Sequence, residues 1–214
     1  MTKLHILQEP HKILRAQTRE IPTSKIKSQA IQKLIRDMAQ TLKAVEVGIG
    51  LAAPQVGKSL RLFLVSKEAL TSKRDEKKLD LEKLKESKAS RDFGHLVFIN
   101  PKIIKTSRRK NLLSEGCLSV SDPAGHLVFG RVKRFDKVTI QAYDEKGQKF
   151  IRGASGLFAQ VLQHETDHLQ GTLFTDRAEE VHKIKNEEDN ILRQRQIFPG
   201  VFEGAGGRGV GSER

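Results

Sequence analysis

Two histidines and a glutamate within five residues carry the strongest chemical signal in the sequence. His164 and His168 lie four positions apart, and Glu165 directly follows the first histidine. On a helix this spacing places both imidazoles on one face, one turn apart, where they can bind the same metal ion. Glu165 would then lie near the ion without having to bind it, and it could take a proton from water at the metal. The pattern predicts a zincin-type hydrolase.

The residues around this motif predict that it lies on a helix. Apolar residues recur there at three-and-four spacing, after a candidate N-cap and before a candidate terminator: Leu157, Phe158, Val161 and Leu162, with Ser155 and Gly171. Histidines at this spacing also occur on helices that bind no metal. A catalytic metal site needs a third protein ligand and an open position, so the third ligand decides between the two interpretations.

Cys117 and Glu188 compete for the role of third ligand. A metzincin would require a histidine at the position of Phe174, which excludes that class. Glu188 lies downstream, where a thermolysin-like peptidase has its glutamate, but it falls in a charged run typical of a solvated surface. The thiolate of Cys117 is a good ligand for a divalent transition metal. A nucleophilic cysteine–histidine pair is a further possibility, although it leaves the second histidine and the glutamate without a role.

Composition indicates one compact domain in a reducing compartment. The 214 residues suffice for a sizeable core, and a single cysteine rules out an intrachain disulfide. No apolar run approaches the roughly 18 residues of a membrane span, and residues 1–10 lack the core of a signal peptide. These features predict a cytoplasmic protein. The net charge of +13 favours contact with polyanions, but aromatic residues for base stacking are few, which argues against sequence-specific nucleic-acid recognition.

The order of the predicted elements is typical of an α+β fold. An extended N-terminal arm over residues 2–21 precedes an amphipathic helix over 31–45. Short strands are predicted at 60–65, 96–99 and 101–104, and a hairpin at 138–143 and 149–152 leads into the histidine helix. The catalytic domain is predicted to span 1–176, with a charged surface insertion at about 67–92. A charged C-terminal helix is predicted for 177–198, and a disordered Gly-rich tail for 199–214.

The Gly-Ile-Gly-Leu-Ala-Ala-Pro-Gln sequence at residues 48–55 allows the backbone to approach another group closely. It can form a tight turn between helix and strand, or a backbone edge that pairs with an extended ligand. In the second case Gln55 offers an amide donor to that ligand. The glycine pattern fits neither a P-loop nor a dinucleotide-binding fold.

Residues 48–55, 115–119 and 163–171, in this order and at these separations, closely resemble the three motifs of peptide deformylases. The resemblance runs from about residue 6 to about 176 and leaves out the insertion and the tail. It implies a compact α+β domain of antiparallel strands packed around a central helix that carries the metal motif. It also implies that Cys117, His164 and His168 hold one divalent metal ion, usually Fe²⁺, with Zn²⁺, Ni²⁺ or Co²⁺ as substitutes.

The resemblance further implies a reaction and roles for individual residues. The enzyme would remove the formyl group from the N-terminal formylmethionine of nascent polypeptides, giving formate and a free amino terminus. Glu165 would act as base and then as acid, while the Gln55 amide and the Leu118 backbone N–H stabilise the oxyanion. Substrate contacts would come from the backbone edge and an apolar pocket, formed by Gly48, Ile49, Gly50, Leu157 and Val161.

Other details of the sequence bear on this resemblance. Gln160 departs from the apolar residue usual in the family, and Glu115 with Arg131 resembles a pair that supports the cysteine segment. The basic surface could contact the ribosome. Two alternatives are a thermolysin-like metallopeptidase that uses Glu188, and a non-catalytic RNA-associated protein with a structural metal, although a closed site would need a fourth ligand.

Overall fold

The computed structural model of the protein describes residues 2–45, 48–71, 94–123, 125 and 127–183. The helices within these residues are α1 (Gln29–Lys43), α2 (Glu68–Thr71) and α3 (Gly156–His168). The strands are β1 (Gly50–Ala52), β2 (Leu62–Ser66), β3 (His95–Thr106), β4 (Lys110–Ser121), β5 (Leu127–Phe135), β6 (Lys137–Tyr143), β7 (Lys149–Ser155) and β8 (Ala178–Lys183). They form two antiparallel sheets, ordered β1-β2-β3-β6-β7 and β4-β5-β8. Antiparallel sheets with separate helices are an α+β arrangement, as predicted.

The five-stranded sheet lies between α1 and α3. Successive residues of a strand point to opposite faces, and β2 shows the consequence. Phe63 and Val65 pack in the cluster that contains the apolar residues of α3, whereas Leu62 and Leu64 pack in the cluster that contains those of α1. Both faces of the sheet are therefore buried at β2, and α3 packs against one of them.

The sequence explains where α1 begins and where α3 ends, although the predicted N-cap Ser155 makes no side-chain hydrogen bond at the start of α3. The hydroxyl of Ser28 accepts the N–H of Ile31 at the start of α1, whose apolar residues recur at the predicted spacing. Gly171, just after α3, has φ +74°, and a Cβ there would lie 2.5 Å from the Arg15 carbonyl oxygen. Thr18 donates both its N–H and its hydroxyl to the Leu169 carbonyl oxygen, at 3.1 and 2.8 Å. The N-terminal arm therefore packs directly on the C-terminal end of α3.

Two predicted elements differ from the structure. The strands predicted at 96–99 and 101–104 are one strand, β3, whose register shifts beyond Ile99 and again beyond Ile103. The helix predicted from residue 177 is wrong over Ala178–Lys183, which is β8 and pairs with β5. Backbone pairing to a sheet edge outweighs the helix propensity of this charged segment.

Residues 72–92 of the predicted insertion, the rest of the predicted C-terminal helix and the Gly-rich tail lie outside the described residues. Across the described part of the chain, no helix combines the length and apolar character needed to cross a membrane.

Candidate metal centre

Cys117, His164 and His168 come together between the two sheets. The cysteine belongs to β4 and the histidines to α3, yet their ligand atoms all lie within 4.8 Å of one another. The Cys117 Sγ is 3.2 Å from the His168 Nε2. Cys117 and His168 are buried and His164 is half-buried. Glu188, the competing ligand, lies outside the described residues.

An irregularity in β4 places the cysteine at the site. From Gly116 to Ser121 β4 advances five residues while its partner β5 advances only two, from Phe129 to Leu127. The extra residues leave the regular ladder, and we refer to residues 117–120 as the cysteine loop. Within it the N–H of Ser119 donates to the Cys117 Sγ at 3.4 Å. The bulge thus turns one residue of a sheet toward the neighbouring helix.

A buried ion network holds His164 in one orientation. The His164 Nδ1 is 3.0 Å from Glu115 Oε2, so its N–H can donate there and leave Nε2 to face the other two ligands. Arg134 binds both oxygens of Glu115 at 2.7 and 2.8 Å and also donates to Asp167 Oδ2 at 2.6 Å. Since Asp167 belongs to α3, the network joins the helix to both β4 and β5.

Burial and the ion network together shift the pKa values of the buried titratable groups. Burial alone would raise the pKa of Glu115, but hydrogen bonds from Arg134 and His164 outweigh it and lower that pKa to about 2. Burial would lower the pKa of His164, yet its hydrogen bonds to Cys117 and Glu115 raise it well above the ordinary value. Burial and the neighbouring His164 lower the pKa of His168. Glu115 is therefore a permanent anion that increases the basicity of one imidazole.

Arg134 takes the place that the sequence assigned to Arg131. Arg131 is exposed, whereas Arg134 is buried against Glu115, so the predicted Glu115–Arg131 pair is wrong. Side chains alternate between the two faces of β5, which explains the difference. Val132 and Arg134 lie on the buried face, and Arg131 lies on the other.

Two glutamines tie α3 to the strands. The Gln163 side chain accepts the N–H of Phe135 at 2.9 Å and donates to the Phe135 carbonyl oxygen at 3.0 Å. Both backbone polar groups of Phe135 are therefore bonded to α3. Gln160, the departure noted above, donates to the Ser114 carbonyl oxygen at 2.8 Å. The polar side chain at position 160 therefore bonds to β4 beside Glu115.

Glu165 directly follows His164 on α3 and is only 3% exposed. Burial raises its pKa to about 7. Glu165 Oε2 and His168 Nδ1 are the buried side-chain polar atoms to which the described residues supply no hydrogen-bond partner. The other oxygen, Oε1, packs against Gly50, where an added Cβ would lie 2.2 Å from it. A glycine at position 50 is thus required by the position of the carboxylate.

The side-chain amide of Gln55 points its N–H groups at the cysteine loop. Its Oε1 accepts the N–H of Ala52 at 2.8 Å, so its Nε2 faces Ser119 Oγ at 3.2 Å and Cys117 Sγ at 3.6 Å. Leu118 belongs to the same loop and is half-buried. The two predicted oxyanion donors therefore lie in segments that touch each other at the site.

The predicted substrate residues lie on α3 and on the segment that leads into β1. Ile49 and Leu157 are half-buried and pack against the cluster that contains Val161. Gly48 follows α1 closely, since its N–H donates to the Val45 carbonyl oxygen at 3.2 Å. Gly50 begins β1, an edge strand of its sheet.

The N-terminal arm contacts the backbone at Gln55 and the cysteine loop. The sequence did not predict these contacts. The N–H of Leu7 donates to the Gln55 carbonyl oxygen at 2.8 Å, and the N–H of Glu9 donates to the Ser119 carbonyl oxygen at 2.9 Å. Local patterns give no signal for contacts between segments so distant along the chain.

The residues fit a transition-metal ion with an open position. One thiolate and two imidazoles are ligands of borderline softness, and three protein ligands leave room for water or substrate. Glu165 Oε2 is a buried acceptor to which the described residues supply no partner. The site defines the class of metal-dependent hydrolases.

Comparison with known proteins agrees with this class. Residues 3–184 match the sequence model of the polypeptide deformylase family. The peptide deformylase of Chlorobaculum tepidum is 40% identical over 168 residues, which cover 78% of this chain and 77% of that protein. For peptide deformylase 1A of Arabidopsis thaliana the identity is 36%, and the match covers 77% of this chain but only 57% of the plant protein.

Solved structures show the same relationship. The peptide deformylase from Synechococcus elongatus in complex with actinonin has a TM-score of 0.64 at 32% identity, covering 92% of this chain and 88% of that one. The chain belongs to the polypeptide deformylase family. It is a metal-dependent hydrolase that removes the formyl group from newly made polypeptides.

Proposed function

We propose that Cys117, His164 and His168 hold one divalent metal ion, physiologically Fe²⁺, and that Glu165 is the acid–base residue of deformylation. The convergence of the three ligand atoms within 4.8 Å carries this proposal. Zn²⁺, Ni²⁺ and Co²⁺ suit the same ligand set. A bound ion supplies a Lewis acid for the formyl oxygen and lowers the pKa of water.

Glu165 moves the proton of the reaction. Its unpartnered Oε2 accepts a proton from the attacking water, and the same carboxylic acid then donates it to the leaving amine. In the metal-free protein burial raises the pKa of Glu165 to about 7. Because Gly50 has no side chain, the Glu165 carboxylate can pack directly against its backbone.

Two donors stabilise the oxyanion that forms on the formyl carbon. The first is the Gln55 Nε2, which the Ala52 N–H holds in place through the other end of the amide. The second is the Leu118 backbone N–H in the cysteine loop. The Gln55 amide is held before the reaction, so little reorganisation of this donor is needed as charge develops.

The substrate backbone pairs with residues 48–50 as an added strand. The support is the place of β1 at the edge of its sheet, with Gly50 next to Glu165. Backbone pairing leaves the second residue of the substrate unspecified. The methionine side chain would contact Leu157 and Val161, which lie about two turns and about one turn before His164.

Formate release from a short N-formylmethionyl peptide tests the proposal. Protein prepared anaerobically with Fe²⁺ should release formate, and Glu165→Gln should lower kcat by at least about 100-fold. Cys117→Ala should lose both metal and activity, whereas Glu188→Ala should keep both. Internal peptide cleavage that depends on Glu188 and not on Cys117 would establish the thermolysin-like peptidase instead. Metal retained by an inactive wild type would indicate a structural site.

The cellular setting is proposed from the substrate and the charge. Formylated nascent chains place the enzyme in the cytoplasm of a bacterial-type cell, near the ribosome. The net charge of +13 supports a weak contact of the basic surface with ribosomal RNA. Co-sedimentation with ribosomes that disappears as salt rises is expected; a salt-insensitive result would contradict the electrostatic contact.

A further inference from the structure

Gln8, in the N-terminal arm, bonds directly to the cysteine loop. Its Nε2 donates to the Leu118 carbonyl oxygen at 2.8 Å, and its Oε1 accepts the hydroxyl of Ser121 at 3.1 Å. The side chain therefore bridges the middle and the end of the segment in which β4 leaves its ladder. On either side of Gln8 the arm is fixed by backbone bonds, from Leu7 to Gln55 and from Glu9 to Ser119.

The bond to Leu118 constrains a peptide unit that matters for the site. The carbonyl of Leu118 and the N–H of Ser119 belong to one planar peptide group. The oxygen of this group accepts from Gln8, and its N–H donates to the Cys117 Sγ at 3.4 Å. The N–H of Leu118 belongs to the preceding peptide, so its direction depends on the torsions of Leu118 that this anchor limits.

The four residues of the cysteine loop have little other support. Between Gly116 and Ser121 the described register gives no regular pairing with β5. Gln55 reaches the loop only through the Ser119 hydroxyl and the sulfur atom. Gln8 is exposed, but backbone bonds at Leu7 and Glu9 fix the chain on either side of it. Its side-chain amide is therefore a rigid anchor.

We propose that Gln8 is a positioning residue for deformylation. By holding the Leu118 carbonyl it directs the Leu118 N–H toward the oxyanion and keeps the Ser119 N–H on the Cys117 sulfur. This inference rests on the proposed function, in which Leu118 N–H is an oxyanion donor. Gln8 touches neither the ligand atoms nor the proposed substrate edge, so its effect should fall on kcat and spare KM.

Two variants of Gln8 separate its two bonds. Gln8→Ala removes both, while Gln8→Glu keeps an acceptor for Ser121 and replaces the donor to Leu118 by a carboxylate. Complete loss of an oxyanion donor costs about 100- to 1000-fold, so a misdirected donor should lower kcat by about 10-fold in both variants, with KM within about twofold. The matched control is Gln32→Ala, which removes an amide that bridges the carbonyls of Ile26 and Glu145, both at 2.9 Å, away from the site. It should leave kcat unchanged.

Amide hydrogen exchange of the metal-free protein gives a second measurement that does not depend on activity. The Ser119 amide should exchange about 3- to 10-fold faster in Gln8→Glu than in the wild type, the effect of losing one hydrogen bond, and at the wild-type rate in Gln32→Ala.

These measurements distinguish failure of the proposed function from failure of the positioning role of Gln8. A wild type that releases no formate refutes the proposed function, whatever the exchange data show. An active wild type with unchanged kcat in both Gln8 variants overturns the positioning role. A raised KM at constant kcat also overturns the positioning role, because Gln8 would then contact the substrate. An unchanged Ser119 exchange rate in Gln8→Glu overturns it as well.

Discussion

Gly50→Ala should disable the enzyme by displacing Glu165. A Cβ at position 50 would lie 2.2 Å from Glu165 Oε1, 2.7 Å from its Cδ and 3.0 Å from its Cγ. Ordinary carbon–oxygen contact needs more than 3 Å, so the carboxylate must move by about 1 Å. Glu165 is 3% exposed and cannot swing freely into solvent. A 1 Å displacement of a reacting group costs about 100-fold, which is the expected loss in kcat.

Formate release and thermal unfolding would be measured together, since overpacking also costs about 1–3 kcal/mol of stability. The matched control is Gly153→Ala in β7, where an added Cβ meets nothing within 4 Å. The control should keep the wild-type kcat. A Gly50→Ala variant that is folded and retains more than about a third of the wild-type kcat would refute the packing argument. Recovery of activity in Gly50→Ala with Glu165→Asp, whose side chain is shorter, would support it.

Two further predictions concern charge. Arg134→Met leaves the buried Glu115 without its arginine and Asp167 with Arg177 alone, and it should cost about 3–5 kcal/mol in urea unfolding. Arg131→Met at the exposed position should change stability by less than about 0.5 kcal/mol, and equal effects would contradict the assignment of Arg134. Because burial raises the pKa of Glu165 from 4.5 to about 7, the folded metal-free protein keeps a proton that the unfolded chain releases, so its stability falls as pH rises between these values. Glu165→Gln should therefore be more stable than the wild type by about 3 kcal/mol above pH 7 and equal to it below pH 4.5; a difference independent of pH would exclude this cause.

Local spacing was sufficient to predict the helix of the metal centre. His164, Glu165 and His168 lie within two turns, so their common face depends only on helix geometry and on the apolar residues around them. The third ligand depends on contacts between a sheet and a helix far apart in the chain. Spacing alone left Cys117 and Glu188 open, and the family resemblance was needed to choose.

The wrong predictions share a physical cause. Arg131 and Arg134 are both arginines on β5, and only the inward position of Val132 distinguishes them. The residues of β8 favour a helix in isolation, but the free edge of β5 supplies hydrogen bonds that the local sequence does not reveal. The contact of Gln8 with Leu118 is likewise a property of the folded chain.

The N-terminal arm is synthesised long before the segments that it contacts. Gln8 is 110 residues from Leu118 along the chain, and Thr18 is 151 residues from Leu169. Chains are synthesised from the amino terminus at about 5–20 residues per second, so the arm waits on the order of ten seconds for its partners. Contacts of such long range also slow folding. Each copy is therefore inactive until nearly all of its catalytic domain has left the ribosome, and formylated chains made meanwhile depend on copies completed earlier.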